Sequence, residues 1–380
     1  MVDPTSGSDA TRSLELSHQG GQRESLAIPT EFTARRLVTI QILRGMAALM
    51  VVFHHVLDQS DGFRAILPTQ AGQAGVDLFF VISGFVMVYV TVDRERSASQ
   101  FLAMRAARII PVYWFYTLAA ALLMLLIPSI FRANELSVRH VVLSLLFVPH
   151  ETASAGVSPI IKQGWTLNYE VFFYVLFAIA MAFSARRRVS YAVGVLVVFA
   201  VVGYWMLFAG ISLGTADFYF QNIVLEFAFG MLIAQAFLNG LLERLRSSFG
   251  AVVAVAGFVA MFALDPIYTA ANRSLVYGLP AAAIVVGALA FEGGVRSIRV
   301  PLLQFAGDAS YSIYLVHGFP VALLRTLWRH GPLPMAGAPS LLLFLFIALL
   351  MVMLLGAMSY YAIERTSLKY LRRLIQRYVR

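Results

Sequence analysis

Cysteine is absent from this 380-residue chain. That excludes disulfides, thiolate catalysis and Cys-type metal sites. Charge is scarce as well: Asp, Glu, Lys and Arg make up 13% of the residues, roughly half the share usual in a soluble domain. No ten-residue segments alternate polar and apolar residues, which argues against an outer-membrane barrel. No short apolar core with a small-residue cleavage site follows a basic start, so the N-terminus does not read as a signal peptide. No internal repeat suggests the inverted halves of a transporter.

What is present is 59% hydrophobic content, gathered in long blocks that are apolar all round. Such blocks need lipid around them and must satisfy their own backbone hydrogen bonds, so the expected fold is all-α and polytopic. Ten spans fit, at about 38–57, 75–92, 109–129, 165–184, 189–209, 217–238, 249–265, 274–291, 308–327 and 339–362. The apolar piece at 136–149 is too short to cross and suits an interfacial or re-entrant segment. Residues 1–36, rich in Ser, Gly, Thr, Gln and charge, read as a disordered cytoplasmic tail ahead of a membrane domain over 37–363. In residues 364–380, Leu368, Leu371, Ile375 and Tyr378 fall near one helical face. An amphipathic helix on the inner leaflet and a merely solubilising basic tail both fit that pattern.

With both termini placed in the cytoplasm, 21 Lys and Arg residues lie inside and seven outside, as the positive-inside rule requires. The net charge of +9 then reflects cytoplasmic loops, and no nucleic-acid partner is expected.

An ionisable group inside lipid is a functional candidate by default. Arg44 sits about six residues into the first span and cannot shed its proton. His55 follows eleven residues later, about 1100° around the helix, so it shares Arg44's face roughly 16 Å further along the axis. His54 points about 80° away from Arg44. Asp77, at the outer start of the second span, falls near the depth of His55 and could orient an imidazole, or it could be a helix-start carboxylate favoured by the macrodipole. Glu170, about two turns into the fourth span, could answer Arg44 or His55, or form a purely structural ion pair. Glu226 and His317 lie mid-span, where interhelical polar contacts compete with catalysis. Arg105 and Arg108, three residues apart on one helical face, could clamp phosphate or simply be flanking positive charge.

Taken together, the chain resembles the acyltransferase 3 family of bacterial integral-membrane O-acyltransferases, and within it the exopolysaccharide-production acyltransferases. Five pieces carry the resemblance, in family order: Arg44 through His55, Gly75 through Phe85, Arg105-x-x-Arg108 with Pro111-Val-Tyr-Trp114, Trp165 through Tyr174, and Ser310 through His317. Where many members have Trp-Ser-Leu-Ser-x-Glu, this chain has Trp165-Thr-Leu-Asn-Tyr-Glu170. No appended soluble hydrolase-like domain is expected. The resemblance implies transfer of an acyl group, usually acetyl, from cytoplasmic acyl-CoA to a hydroxyl of an envelope or exported glycan. It implies no metal, a bacterial inner-membrane location, a glycan or lipid-linked saccharide acceptor, surrounding membrane lipid, and polysaccharide-synthesis machinery as a candidate partner. On that reading Arg105 and Arg108 hold the CoA phosphates and His55 takes the acceptor proton. Asp77 or Glu170 orients it, and Arg44 stabilises the donor or a carboxylate. Direct transfer and a covalent acyl-histidine both remain open. So do two other classes, a secondary transporter using the buried charges as a proton relay and a membrane scaffold in which they are structural.

The lack of native cysteine makes the topology directly testable. Ala155→Cys is expected to react with an impermeant maleimide added outside intact cells, and Arg187→Cys only after permeabilisation. The reverse pattern would invert the layout.

Overall fold

The computed structural model describes residues 37–67, 69–92, 97–127, 136–152, 156–295, 300–332 and 334–378. The tail expected over 1–36 lies outside the described residues. The described chain is almost wholly helical. Its strands form a single hairpin, β1 (Glu151–Thr152) paired antiparallel with β2 (Gly156–Val157).

Seven helical stretches are long and apolar enough to cross a membrane. The first five contain α1 (Val38–Leu57), α2 (Gly75–Tyr89), α3 (Ala98–Leu126), α5 (Trp165–Phe183) and α6 (Arg188–Ala209). The sixth contains α7 (Val224–Leu238), and the last runs from α13 (Ala338–Ser359) into α14 (Arg365–Tyr378). Two apolar helices are shorter, α8 (Ser247–Ala263) and the one ending in α9 (Leu279–Ala290). The 136–149 piece holds only the eight-residue α4 (Val138–Leu145).

The segment expected as one span at 308–327 follows α10 (Pro301–Asp308) and is divided into α11 (Ser310–Val316) and α12 (Gly318–Arg329), with His317 between them still in helical conformation. Pro320 accounts for the division. It has no N–H to give the carbonyl of Val316, so the helix ladder is interrupted beside His317.

The apolar surface is where lipid would lie. Leu126, Phe208, Val201 and Phe346 are all well exposed on the outside of the bundle, a cost in water and none in hydrocarbon. Inside, helices approach to backbone distance where side chains vanish. Gly84 of α2 meets the backbone of Phe227, and Gly230 of α7 meets the carbonyl of Val81. This reciprocal pair locks α2 to α7 by close packing, which must replace the hydrophobic effect between helices in lipid.

The start of α1 is capped from far along the chain. Leu37 offers no capping side chain. Glu292, buried beside it, accepts from the backbone N–H groups of Val38 and Thr39, both at 2.9 Å, and from the Thr39 hydroxyl at 2.6 Å. A carboxylate there satisfies orphan donors and complements the positive end of the helix dipole. The α1 helix also packs on α10, where Gly45 faces the backbone of Leu303 and Gly307 faces that of Gln41. Cap and close packing together set the height and rotation of α1.

A side chain forced into the α2–α7 contact is expected to be costly. Gly230→Leu should lower thermal stability by about 1–3 kcal/mol or prevent folding. Gly194→Leu on α6, where a Cβ meets nothing within 4 Å, should change the melting curve in detergent little. Equal effects would remove close packing as the reason for Gly230.

Candidate active site

Two levels of polar contact join α1 to α11. Arg44 donates from Nη2 to Ser310 Oγ at 2.8 Å and from Nη1 to Gln41 Oε1 at 3.3 Å. Further along, the ring of His55 stacks on that of His317, with centroids 5.0 Å apart and planes 26° from parallel. Ser310 and His317 are seven residues apart, about two full helical turns, so both present on the face that α1 meets. Their separation is about 10 Å against about 16 Å between Arg44 and His55, and the long Arg44 side chain makes up much of the difference.

The Arg44 level is a dense charge network. Arg108, Glu364, Asp308 and Glu170 all act electrostatically on Arg44. Glu364, buried in the turn between α13 and α14, accepts from Ser312 Oγ at 2.7 Å. Arg105 lies over the rings of Phe101 and Tyr174, at 5.4 and 5.5 Å. The Tyr174 hydroxyl donates to Glu170 Oε2 at 2.8 Å. Glu170 therefore faces Tyr174 and the arginines of α3. Arg372 of α14 joins the electrostatic neighbourhood of Arg105 and Arg108, so the last helix closes this end of the site.

At the histidine level, His317 is fully buried. Its Nδ1 lies 2.6 Å from the carbonyl of Tyr314, which requires the proton on Nδ1. Its Nε2 is then an acceptor, and the Gln163 amide Nε2 approaches it at 3.4 Å. The Tyr314 hydroxyl donates to the Gln163 carbonyl at 3.1 Å and meets the Thr166 hydroxyl at 2.9 Å. Thr166 thus supplies a hydroxyl where the family pattern has its first serine.

The carboxylate at His55 is Asp58. Its Oδ2 lies 3.3 Å from His54 Nε2 and 3.9 Å from His55 Nδ1, and it also pairs with Arg64. An acidic residue at a helix C-terminus opposes the dipole, and here the histidines and Arg64 supply the compensating contacts. The spacing from His54 to Asp58 (i,i+4) and from His55 (i,i+3) is legible in sequence, and was the signal that could have found it.

Asp77 lies elsewhere. Its oxygens accept from Arg273 Nε at 2.9 Å and Nη2 at 2.8 Å, a bidentate pair in which Asp77 is wholly buried. The expected place for Asp77 beside His55 gives way because Arg273, on a later segment, offers a matching two-donor fork. Glu226, also wholly buried, abuts Asp77 from α7 and feels the same arginine. Arg273 in turn lies 5.9 Å from the ring centre of Trp165. Nothing local to Asp77 or Arg273 signals this cluster.

The geometry thus brings Arg44, Arg105, Arg108 and Glu170 to one level and His55 and His317 to another, and sets Asp77 with Glu226 apart. A part-exposed imidazole stacked on a buried one, with a carboxylate near its Nδ1, is suited to moving a proton.

The family model described as an acyltransferase domain (acyltransferase 3) matches residues 37–361. The exopolysaccharide production protein ExoZ of Rhizobium meliloti is 35% identical over 303 residues, covering 78% of this chain and 90% of that protein. The acyltransferase MdmB of Streptomyces mycarofaciens is 26% identical over 310 residues, covering 74% and 78%. No solved structure matches.

The Asp77–Arg273 pair predicts strong coupling. Removing either charge alone, as Asp77→Asn or Arg273→Gln, is expected to cost about 3–5 kcal/mol by stranding the other. The double variant should recover part of that loss in thermal melts of the detergent-solubilised protein. Strictly additive losses would show that the pair contributes no interaction of its own.

Proposed function

This chain belongs to the acyltransferase 3 family, and on that premise we propose that it transfers an acyl group, acetyl foremost, from cytoplasmic acyl-CoA to a hydroxyl of an envelope or exported glycan. The observation that carries the reading is the arrangement along α1: a cationic level at Arg44 and a histidine level at His55, joined by one helix. A donor rich in phosphate needs the first. A hydroxyl acceptor needs the second. The name of the Rhizobium relative supports an exopolysaccharide acceptor or its lipid-linked precursor.

In this mechanism Arg108, Arg105 and Arg44 receive the CoA phosphates at the cytoplasmic end, with Glu170 and Glu364 keeping the arginines from repelling one another. The pantetheine arm extends along α1 and brings the thioester to His55. The Nδ1–H of His55 faces Asp58, leaving Nε2 free to accept the proton of the acceptor hydroxyl. That oxygen bonds to the thioester carbon, the carbon–sulfur bond breaks, and the imidazolium returns the proton to the departing thiolate. Asp58 takes the orienting role first given to Asp77, whose oxygens are held by Arg273. The separation of 3.9 Å between Asp58 and His55 Nδ1 shortens when substrates bind, as catalytic hydrogen bonds often do. His317 braces the face of His55. Ten crossings of the bacterial inner membrane, with both termini cytoplasmic, put the Arg44 level on the acyl-CoA side and the His55 level toward the acceptor. The α10–α12 segment makes one of those crossings in broken form.

Because the chain has no thiol of its own, a thiol reagent would report only the CoA released. In lipid nanodiscs with acetyl-CoA and a glycan acceptor, His55→Ala is expected to lower turnover by about 10²–10⁴-fold. Asp58→Asn should lower kcat with little change in the KM for acetyl-CoA, and Arg108→Ala should raise that KM. Unchanged turnover in His55→Ala would sink the proposal.

A further inference from the structure

Beyond Asp58 the α1 end opens into a cleft of about 530 Å³. One wall carries Asp58, Gln59 and Asp61. The other carries Arg325, Trp328 and Arg329 of α12. The two arginines are four residues apart and so neighbours on one helical face. Among the described residues neither forms an ion pair. The Arg325 Nε–H is buried and meets no acceptor. Two like charges side by side repel, and a buried unmet donor on a cation costs more than on a neutral group. The fold holds both without a carboxylate to answer them, although Asp61 lies across the same cleft.

We infer that this cleft is the subsite for the acceptor, and that it takes a saccharide bearing an anionic group, held through Arg325 and Arg329. The inference rests on the acyl-transfer reading above for the word acceptor, and on the cleft itself for the rest. The wall of Asp58, Gln59 and Asp61 offers acceptors for sugar hydroxyls. The arginine wall offers forks for a carboxylate or phosphate. A neutral sugar would leave the arginines unanswered, and an anion without hydroxyls would leave the acidic wall facing charge of its own sign. Asp58 belongs to both the cleft and the histidine contacts. Asp58 thereby links the cleft to His55, and a saccharide held here has only to extend a hydroxyl past Asp58 to reach Nε2 of that ring. The volume suits a mono- or disaccharide, within the range of about 300–1,000 Å³ usual for small-molecule sites. The anionic group comes either from an acidic sugar in the glycan or from the phosphate of a lipid linkage, and both present the same chemistry to the two forks.

The test is binding by the full chain in phosphatidylcholine nanodiscs, read by calorimetry without turnover. Cellobiouronic acid and glucose 1-phosphate represent the two sources of anion, and cellobiose is the neutral reference. At least one anionic sugar is expected to bind about tenfold or more tightly than cellobiose, the worth of a charge-assisted hydrogen bond or more. Which one does so identifies the source. In the Arg325→Gln/Arg329→Gln double variant that preference should vanish while CoA affinity, at the other end of α1, is kept. Should the double variant fold poorly, Arg329→Gln alone, at the exposed position, should still reduce the preference severalfold. No preference in the parent protein overturns the inference, and so does a preference that survives in the variants. Anionic-sugar binding by a protein that releases no CoA would refute acyl transfer and leave this subsite standing.

Discussion

A charge carried into hydrocarbon has no water to solvate it, so the protein itself must supply the partner. Most of the ordered interior follows from that constraint. Arg273 answers Asp77, with Glu226 alongside. Arg44 is answered by Ser310, Gln41 and the carboxylates around it. Glu364 is answered by Ser312. Apart from the Arg44–Gln41 contact within α1, these contacts tie together helices distant in sequence, and each would strand a charge if the helices parted. Polar contacts here act as positional locks, while the apolar surface merely meets lipid.

Close packing works with those locks. Gly84 and Gly230 let α2 and α7 meet at backbone distance, and Gly45 with Gly307 does the same for α1 and α10. The Glu292 cap then holds α1 at its start. The result is a helix held at its cap, in its middle and at its histidine end, which is what the proposed donor-to-acceptor path along one element requires. Among the described residues the arginines of the open cleft form no ion pair, and Arg325 keeps a buried Nε–H without an acceptor. Unlike the buried Glu226, they line an open cleft that something from outside the chain can enter.

The helices were legible in sequence because lipid enforces a simple code: blocks apolar all round, bounded by positive charge on one side. The shared face of Arg44 and His55 was legible as well, since eleven residues close three turns. The break in the 308–327 segment was less so. Pro320 can kink a membrane helix or be absorbed by it, and the neighbours decide which. Asp58 was within reach of a spacing argument, three and four residues from the histidines, yet it lies just past the apolar block where attention to buried charge stops.

The sequence by itself determined the all-helical membrane class, the family, and the short set of ionisable groups that must find partners inside the bundle. It could do so because hydrophobic length, helical periodicity and the short motifs that carry the family resemblance are all local properties of the chain. Which group meets which was decided only by tertiary structure. Asp77 and Arg273 are separated by 196 residues and Arg44 and Ser310 by 266, and no local rule relates residues so far apart. His317 comes against His55, and Asp77 does not, because the cap and the glycine contacts fix the height and rotation of α1, while Arg273 holds Asp77 elsewhere. In a low-dielectric interior a shift of one helical turn would exchange a satisfied charge for a stranded one, so packing, and not composition, selects the constellation.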